Sequence, residues 1–314
     1  MSVNNWLAAH IFYAAPPEPM LTEVLAPLVT RILSQDMARG FFFIRYPEQG
    51  QHVRLRFQGD PTVMARDIKP LLQTATGDWC QRFPSQRDKE WQNRDDLPND
   101  SLHYFNYEPE YSRYGGKLGT AIAEQQFQHS SKAVLNLMAE SDWNYDRALG
   151  CALQIHLAFM YALGWNLDQV RSFCDLIAHI WLPMAWHWAG ESTAFEKHKE
   201  ETLAAFKEAF DQQQEALVPF VQTYWQGLQD QADFDAPWLD TWIEGMQEIT
   251  RQLDEATNQG SLQIPPTRIQ PSHPLPEYWP ILESYVHMTN NRLGILNRDE
   301  AFLGYLIHNT IAKI

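Results

Sequence analysis

The stretch GFFFIRYPEQGQHVRLRFQG, residues 40–59, constrains the fold more than any other part of the chain. Aromatic and β-branched residues fill Phe41 to Tyr46 and His52 to Phe57, and Pro47-Glu48-Gln49-Gly50 between them has turn chemistry, so a β-hairpin is expected. The two-residue period of a strand sends Val53, Leu55 and Phe57 to one face and His52, Arg54 and Arg56 to the other. At ~3.3 Å per residue the two guanidinium groups start about 7 Å apart. Two such planar forks suit a carboxylate or another oxyanion. Arginines also decorate ordinary solvated strands, so the hairpin alone leaves both readings open.

The flanking sequence supplies the rest of a small sheet. Leu7 to Tyr13 reads as a strand, the proline-rich Ala14 to Pro19 as a break, and Leu21 to Gln35 as a helix with apolar residues at Val24, Leu25, Leu28, Val29 and Ile32. After the hairpin, Asp60-Pro61 opens a second helix to about Thr74, with aspartate as N-cap and proline at the first helical position. A charged loop from Ser85 to Asp100 precedes a last strand, Leu102 to Tyr107. The order β-α-β-β-α-β predicts a ferredoxin-like antiparallel sheet. Such a sheet carries its helices on one face, so the Arg54 face needs a second layer or a ligand.

From Lys117 the pattern turns helical: Leu118 to His129, Ser131 to Glu140, Asp146 to Leu163, Leu167 to Trp188, Ala194 to Asp230, Pro237 to Asn258, Pro280 to Thr289 and Glu300 to Ile311. Residues 260–276, with five prolines, read as an extended linker. The expected fold class is α+β, a single domain over residues 1–314 with a sheet part to residue 110 and a mainly helical body from 111.

Composition limits the functions open to this chain. With 314 residues, 45% of them apolar, it can bury a sizeable core. A formal charge of −15 argues against a protein that tracks phosphate backbones, because that binding is driven by Lys and Arg releasing counterions. Cys80, Cys151 and Cys174 are too few and too scattered for a disulfide framework or a zinc site, and read as reduced core residues. The N-terminus has no basic start followed by an apolar run, and the most apolar later stretch, Ala148 to Trp165, contains Gln154 and His156 and reads as a buried helix. A cytoplasmic location is therefore expected.

Motifs for nucleotide cofactors and for zinc hydrolysis, GxGxxG, GxxxxGK[ST] and HExxH, are absent from the sequence, and no cofactor is expected. His187 and Glu191 have the spacing of a metal pair, but Trp186 and Trp188 beside the histidine favour aromatic packing, and no metal site is expected. The run YEPEYSRYGG, residues 107–116, leaves the sheet and turns on Gly115-Gly116, presenting Arg113 and Tyr114. Arg113 either ties down this loop through carbonyls or meets a ligand. Near the C-terminus, YVHMTNNRLG places His287 beside Asn290, Asn291 and Arg292, where polar groups collect at a helix end.

Together, WLAAHIFY, FFFIRY, HVRLRF, YEPEYSRYGG and YVHMTNNRLG resemble the elimination domain of class I lanthipeptide dehydratases, which also occurs as a separate protein in thiopeptide-type bacteriocin biosynthesis. In that family a partner enzyme esterifies Ser or Thr of a precursor peptide with glutamate from glutamyl-tRNA, and this domain eliminates the glutamate to leave a dehydroamino acid. The resemblance implies functional roles for Arg54, Arg56, Arg113 and His287. His287 would remove the α-proton, a task that suits imidazole. The arginines would stabilise the enolate and the departing carboxylate. Tyr114, Asn291 and Arg292 join the arginines as expected substrate contacts, and all four principal residues are expected to converge in one pocket. Ser130-Ser131 departs from the family's usual Asp-Ser. Expected partners are the precursor peptide and the glutamylating enzyme, with no direct grip on tRNA and no membrane; a homodimer is also compatible with the sequence. Two other readings stand beside elimination: a thiopeptide pyridine synthase of the same fold, joining two dehydroalanines in a formal [4+2] cycloaddition with no glutamate to hold, and a non-catalytic subunit that binds the precursor, for which an acidic surface and exposed aromatics would suffice.

Overall fold

The computed structural model describes residues 5–87, 95–140, 142–185 and 195–314. These form two compact units, one of residues up to 110 together with 127–143, the other of 111–126 together with 144–314. The architecture is mixed: a small antiparallel sheet and a preponderance of helix.

In the first unit the strands are β1 (Trp6–Phe12), β2 (Gly40–Tyr46), β3 (His52–Gln58) and β4 (Ser101–Phe105), in the sheet order β2-β3-β1-β4 with every neighbouring pair antiparallel. The predicted hairpin is β2–β3, closed by a turn in which Gln49 and Gly50 take left-handed backbone conformations. Two helical runs join the strands, α1 over residues 18–34 and α2 over residues 61–82, and each contains a short π-helical stretch (Leu21–Leu25, Met64–Ile68). Asp60 caps α2 by accepting hydrogen bonds from the amides of Thr62 and Val63. That helix runs eight residues beyond the expected Thr74. Burial of Thr76 and Trp79 carries the helix past that point.

The next helix, α3 (Gly116–Ala139), is continuous where the sequence suggested a break at Ser130. Ser130 and Ser131 are fully buried rather than exposed at a helix end. The Ser131 hydroxyl accepts a hydrogen bond from the backbone amide of Phe43, at 3.1 Å. Strand β2 lies at the edge of the sheet, where an amide would otherwise be left without a strand partner. This gives Ser131 a structural function inside the first unit. Ser131→Ala should therefore destabilise that unit by about 1–3 kcal/mol, the cost of leaving a buried amide unsatisfied, measured as a lowered urea midpoint at unchanged slope.

The second unit is helical: α4 (Tyr145–Ala162), α5 (Leu167–Trp181), α6 (Phe195–Gln229), α7 (Pro237–Asn258), α8 (Trp279–Leu293) and α9 (Asn297–Ile311). Asn166 and Gln169 form a capping box at the start of α5. Its core includes Phe159, Phe173, Trp242, Ile249, Ile281, Leu282 and Tyr285. Helix α8 passes the expected end at Thr289, whose hydroxyl bonds back to the Tyr285 carbonyl, and stops at Gly294 in the left-handed conformation that ends many helices. No helix among the described residues is long and apolar enough to cross a membrane.

Candidate functional site

The sheet face that carries Arg54 and Arg56 is built from aromatic rings and histidines. Across the sheet, His10 of β1 lies opposite Arg54, and Ala8 opposite Arg56. Phe105, His10, His52 and Phe12 form a run of rings with successive centroids 4.4, 5.0 and 4.4 Å apart. Burial, reinforced by Arg54, pushes His10 down to about 3 from its ordinary 6.5, and burial pushes His52 down to about 4. Both rings are therefore neutral at physiological pH.

Neutrality lets His52 hold an arginine. The His52 Nδ1–H donates to the Gly50 carbonyl at 2.7 Å, which leaves Nε2 to accept from Arg54 Nε at 3.0 Å. The Arg54 guanidinium also lies over the Tyr46 ring, 3.4 Å from its centroid. Arg56 is more deeply set, between the rings of Phe42 and Tyr107 at 5.1 and 4.8 Å. The face thus presents two oriented cations on an apolar floor, an arrangement suited to a carboxylate.

In the second unit the candidate residues gather around α8. Gly115 and Gly116 both have positive φ, +82° and +86°, and a Cβ on Gly115 would come within 2.8 Å of Ile281. The turn the sequence predicted therefore lets the chain lie against α8, and Arg113 donates from Nε to the Ser284 hydroxyl at 3.1 Å. One turn along the helix is His287. Its Nδ1 lies 2.8 Å from Oε1 of Glu300 in α9, and its ring stacks on Trp181 of α5 with centroids 4.3 Å apart. The indole N–H of Trp181 donates to Glu283 at 2.7 Å. Burial raises the pKa of Glu283, while Trp181, His287 and Arg113 oppose the rise. An imidazole, two carboxyl groups and a guanidinium thus share one neighbourhood.

Arg113 and His287 are thereby brought together on α8, and Arg54 and Arg56 on the sheet. Tyr114 is buried beside Tyr285, and Asn291 is half-buried. Arg292 is 0% exposed and donates to the Met288 carbonyl one turn back. His187 and Glu191 lie outside the described residues. Sequence reasoning missed Glu300, Glu283, Trp181, His10 and Tyr46. Glu283 was legible, since it stands four residues before His287 on one helix face. Glu300 had no local signal, because it begins another helix.

The sequence profile of the C-terminal region of lantibiotic biosynthesis dehydratases matches residues 6–311. No curated protein sequence matches the chain. Among solved structures, the fold is similar to that of the pyridine synthase TbtD from thiomuracin biosynthesis, at 14% identity and a TM-score of 0.76, covering 99% of this chain and 98% of that one. It is also similar to TsrL, at 17% identity and a TM-score of 0.65, covering 98% and 94%. The tRNA-dependent lantibiotic dehydratase MibB from Microbispora sp. 107891 aligns with all of this chain at 20% identity and a TM-score of 0.61, and the alignment spans 28% of MibB. With the profile running through all four strands, the Arg113 turn and the His287–Glu300 pair, the chain belongs to the lantibiotic dehydratase C-terminal family.

Proposed function

We propose that this chain catalyses elimination of glutamate from glutamylated Ser or Thr in a ribosomally made precursor peptide, leaving dehydroalanine or dehydrobutyrine. His287 removes the α-proton, the Cα–H electrons form the Cα–Cβ double bond, and glutamate leaves with the electron pair of the Cβ–O bond. The observation that carries this reading is the pairing of His287 with the buried carboxylate of Glu300, beside the guanidinium of Arg113 one turn away. A base with a fixed ring needs a cation close by when the proton it removes leaves an enolate. Arg54 and Arg56 are assigned the carboxylates of the glutamyl group, for which their neutral, ring-lined setting is suited. The strand order β2-β3-β1-β4 supports the ferredoxin-like reading of the sheet. The partners are the precursor peptide and a glutamylating enzyme.

A second reading, cyclisation of two dehydroalanines to a pyridine, is favoured by the near-complete mutual coverage with TbtD. The arginines separate the two. Arg54→Gln and Arg113→Gln are each expected to lower the rate ~10²-fold or more and to leave glutamyl esters on peptide treated with the glutamylating enzyme, as read by mass spectrometry. Peptide that emerges fully dehydrated from both variants would count against elimination.

A further inference from the structure

We propose that Glu300, Asn290 and His156 are positioning residues that fix the tautomer of His287, leaving its Nε2 unprotonated and ready to accept a proton. This deepens the proposed elimination, in which His287 is the base. The residues form one hydrogen-bonded series across three helices: Nε2 of His156 to Oδ1 of Asn290 at 2.6 Å, Nδ2 of Asn290 to Oε2 of Glu300 at 3.1 Å, and Oε1 of Glu300 to Nδ1 of His287 at 2.8 Å. His156, Asn290 and Glu300 are 3%, 1% and 1% exposed. Each bond is therefore made away from competing water.

Direction along the series follows from the donors available. The Asn290 amide gives its N–H to Glu300, so its oxygen is an acceptor and His156 must donate from Nε2. Consistent with a neutral ring, His156 Nδ1 has no hydrogen-bond partner, and burial pushes this imidazole down to about 4. Glu300 accepts at both oxygens, so His287 donates from Nδ1. Free histidine favours the opposite tautomer, with the proton on Nε2. The series reverses that preference, and Trp181 against the ring holds its plane. A carboxylate there also stabilises the imidazolium that forms when the proton arrives.

The test is nitrogen NMR of the full chain labelled in histidine, with His287→Gln and His156→Gln used to assign the two signals. The unaltered chain should show His287 as the Nδ1–H tautomer and His156 as Nε2–H. Glu300→Ala should move His287 largely to Nε2–H. Glu300→Gln is nearly the same size and keeps an acceptor for His287, but its amide N–H₂ then faces Asn290. Asn290 must turn over, and His156 should switch to Nδ1–H while His287 does not change. In turnover of glutamylated peptide, Glu300→Gln should lower kcat ~10²-fold with KM within about twofold. An Nε2–H tautomer of His287 in the unaltered chain, or unchanged signals for both histidines in Glu300→Gln, would overturn the proposal. The spectra report on the series whichever reaction the family member performs, so failure of the elimination reading would leave the expected tautomers intact and appear only in the turnover assay.

Discussion

His287→Ala is expected to lower glutamate loss by ~10²–10⁴-fold while the protein stays folded. The side chain is 15% exposed, and what it loses on truncation is one hydrogen bond to Glu300 and one stacking contact with Trp181. Exposing Glu300 to the space left should cost about 1–3 kcal/mol, which a domain of ordinary stability tolerates. The rate effect is larger because the imidazole is assigned the proton transfer itself. Glu283, which interacts electrostatically with Arg113 and His287, is no replacement, because burial favours its protonated, non-basic form. Peptide incubated with the glutamylating enzyme and this variant should therefore accumulate esters, visible by mass. Unchanged product would remove His287 from the reaction and favour a binding role for the chain.

A second large effect is expected on acidification. His10 and His52 titrate at about 3 and about 4 in the folded sheet against 6.5 in an unfolded chain. Because the folded values are depressed, the stability they contribute is complete above pH 6.5 and is lost as pH falls from 6.5 toward 4 for His52 and toward 3 for His10. At pH 5 the unfolded chain has gained both protons and the fold has gained neither, a cost of about 2 kcal/mol per histidine. His156 applies the same penalty to the helical unit. Urea midpoints should fall steeply between pH 7 and pH 5, and His10→Phe, which keeps a ring in the stack, should flatten part of that slope. Midpoints that do not move over this range would show that the sheet histidines accept protons without unfolding.

The same pair explains why the sheet was largely legible. Alternation along His52 to Phe57 is strict, so one period-two reading placed Val53, Leu55 and Phe57 in the core and the histidine and arginines on the opposite face. What alternation could not reveal is that the opposite face is itself packed with rings from β1, β2 and β4, because cross-strand partners depend on register. The Arg113 turn was legible for a local reason, two adjacent glycines that alone accept positive φ without strain. Helix ends were less so. Ser130-Ser131 looks like a terminus in sequence because hydroxyls compete for backbone bonds, and only the edge amide of Phe43 shows why they sit mid-helix. Glu300 is the furthest from being legible. A glutamate in a first helical turn ordinarily answers the helix dipole, and its burial against His287 is decided by how α8 and α9 pack.

The choice between elimination and cyclisation is tested most directly by offering the purified protein two peptides and weighing the products. One carries glutamyl esters on Ser or Thr; the other has the same sequence with dehydroalanines already in place. Elimination predicts that the first loses one glutamate per ester and gains one double bond at each site, while the second is returned unchanged. Esters that survive intact, together with conversion of the dehydrated peptide to a pyridine-containing product, would contradict it.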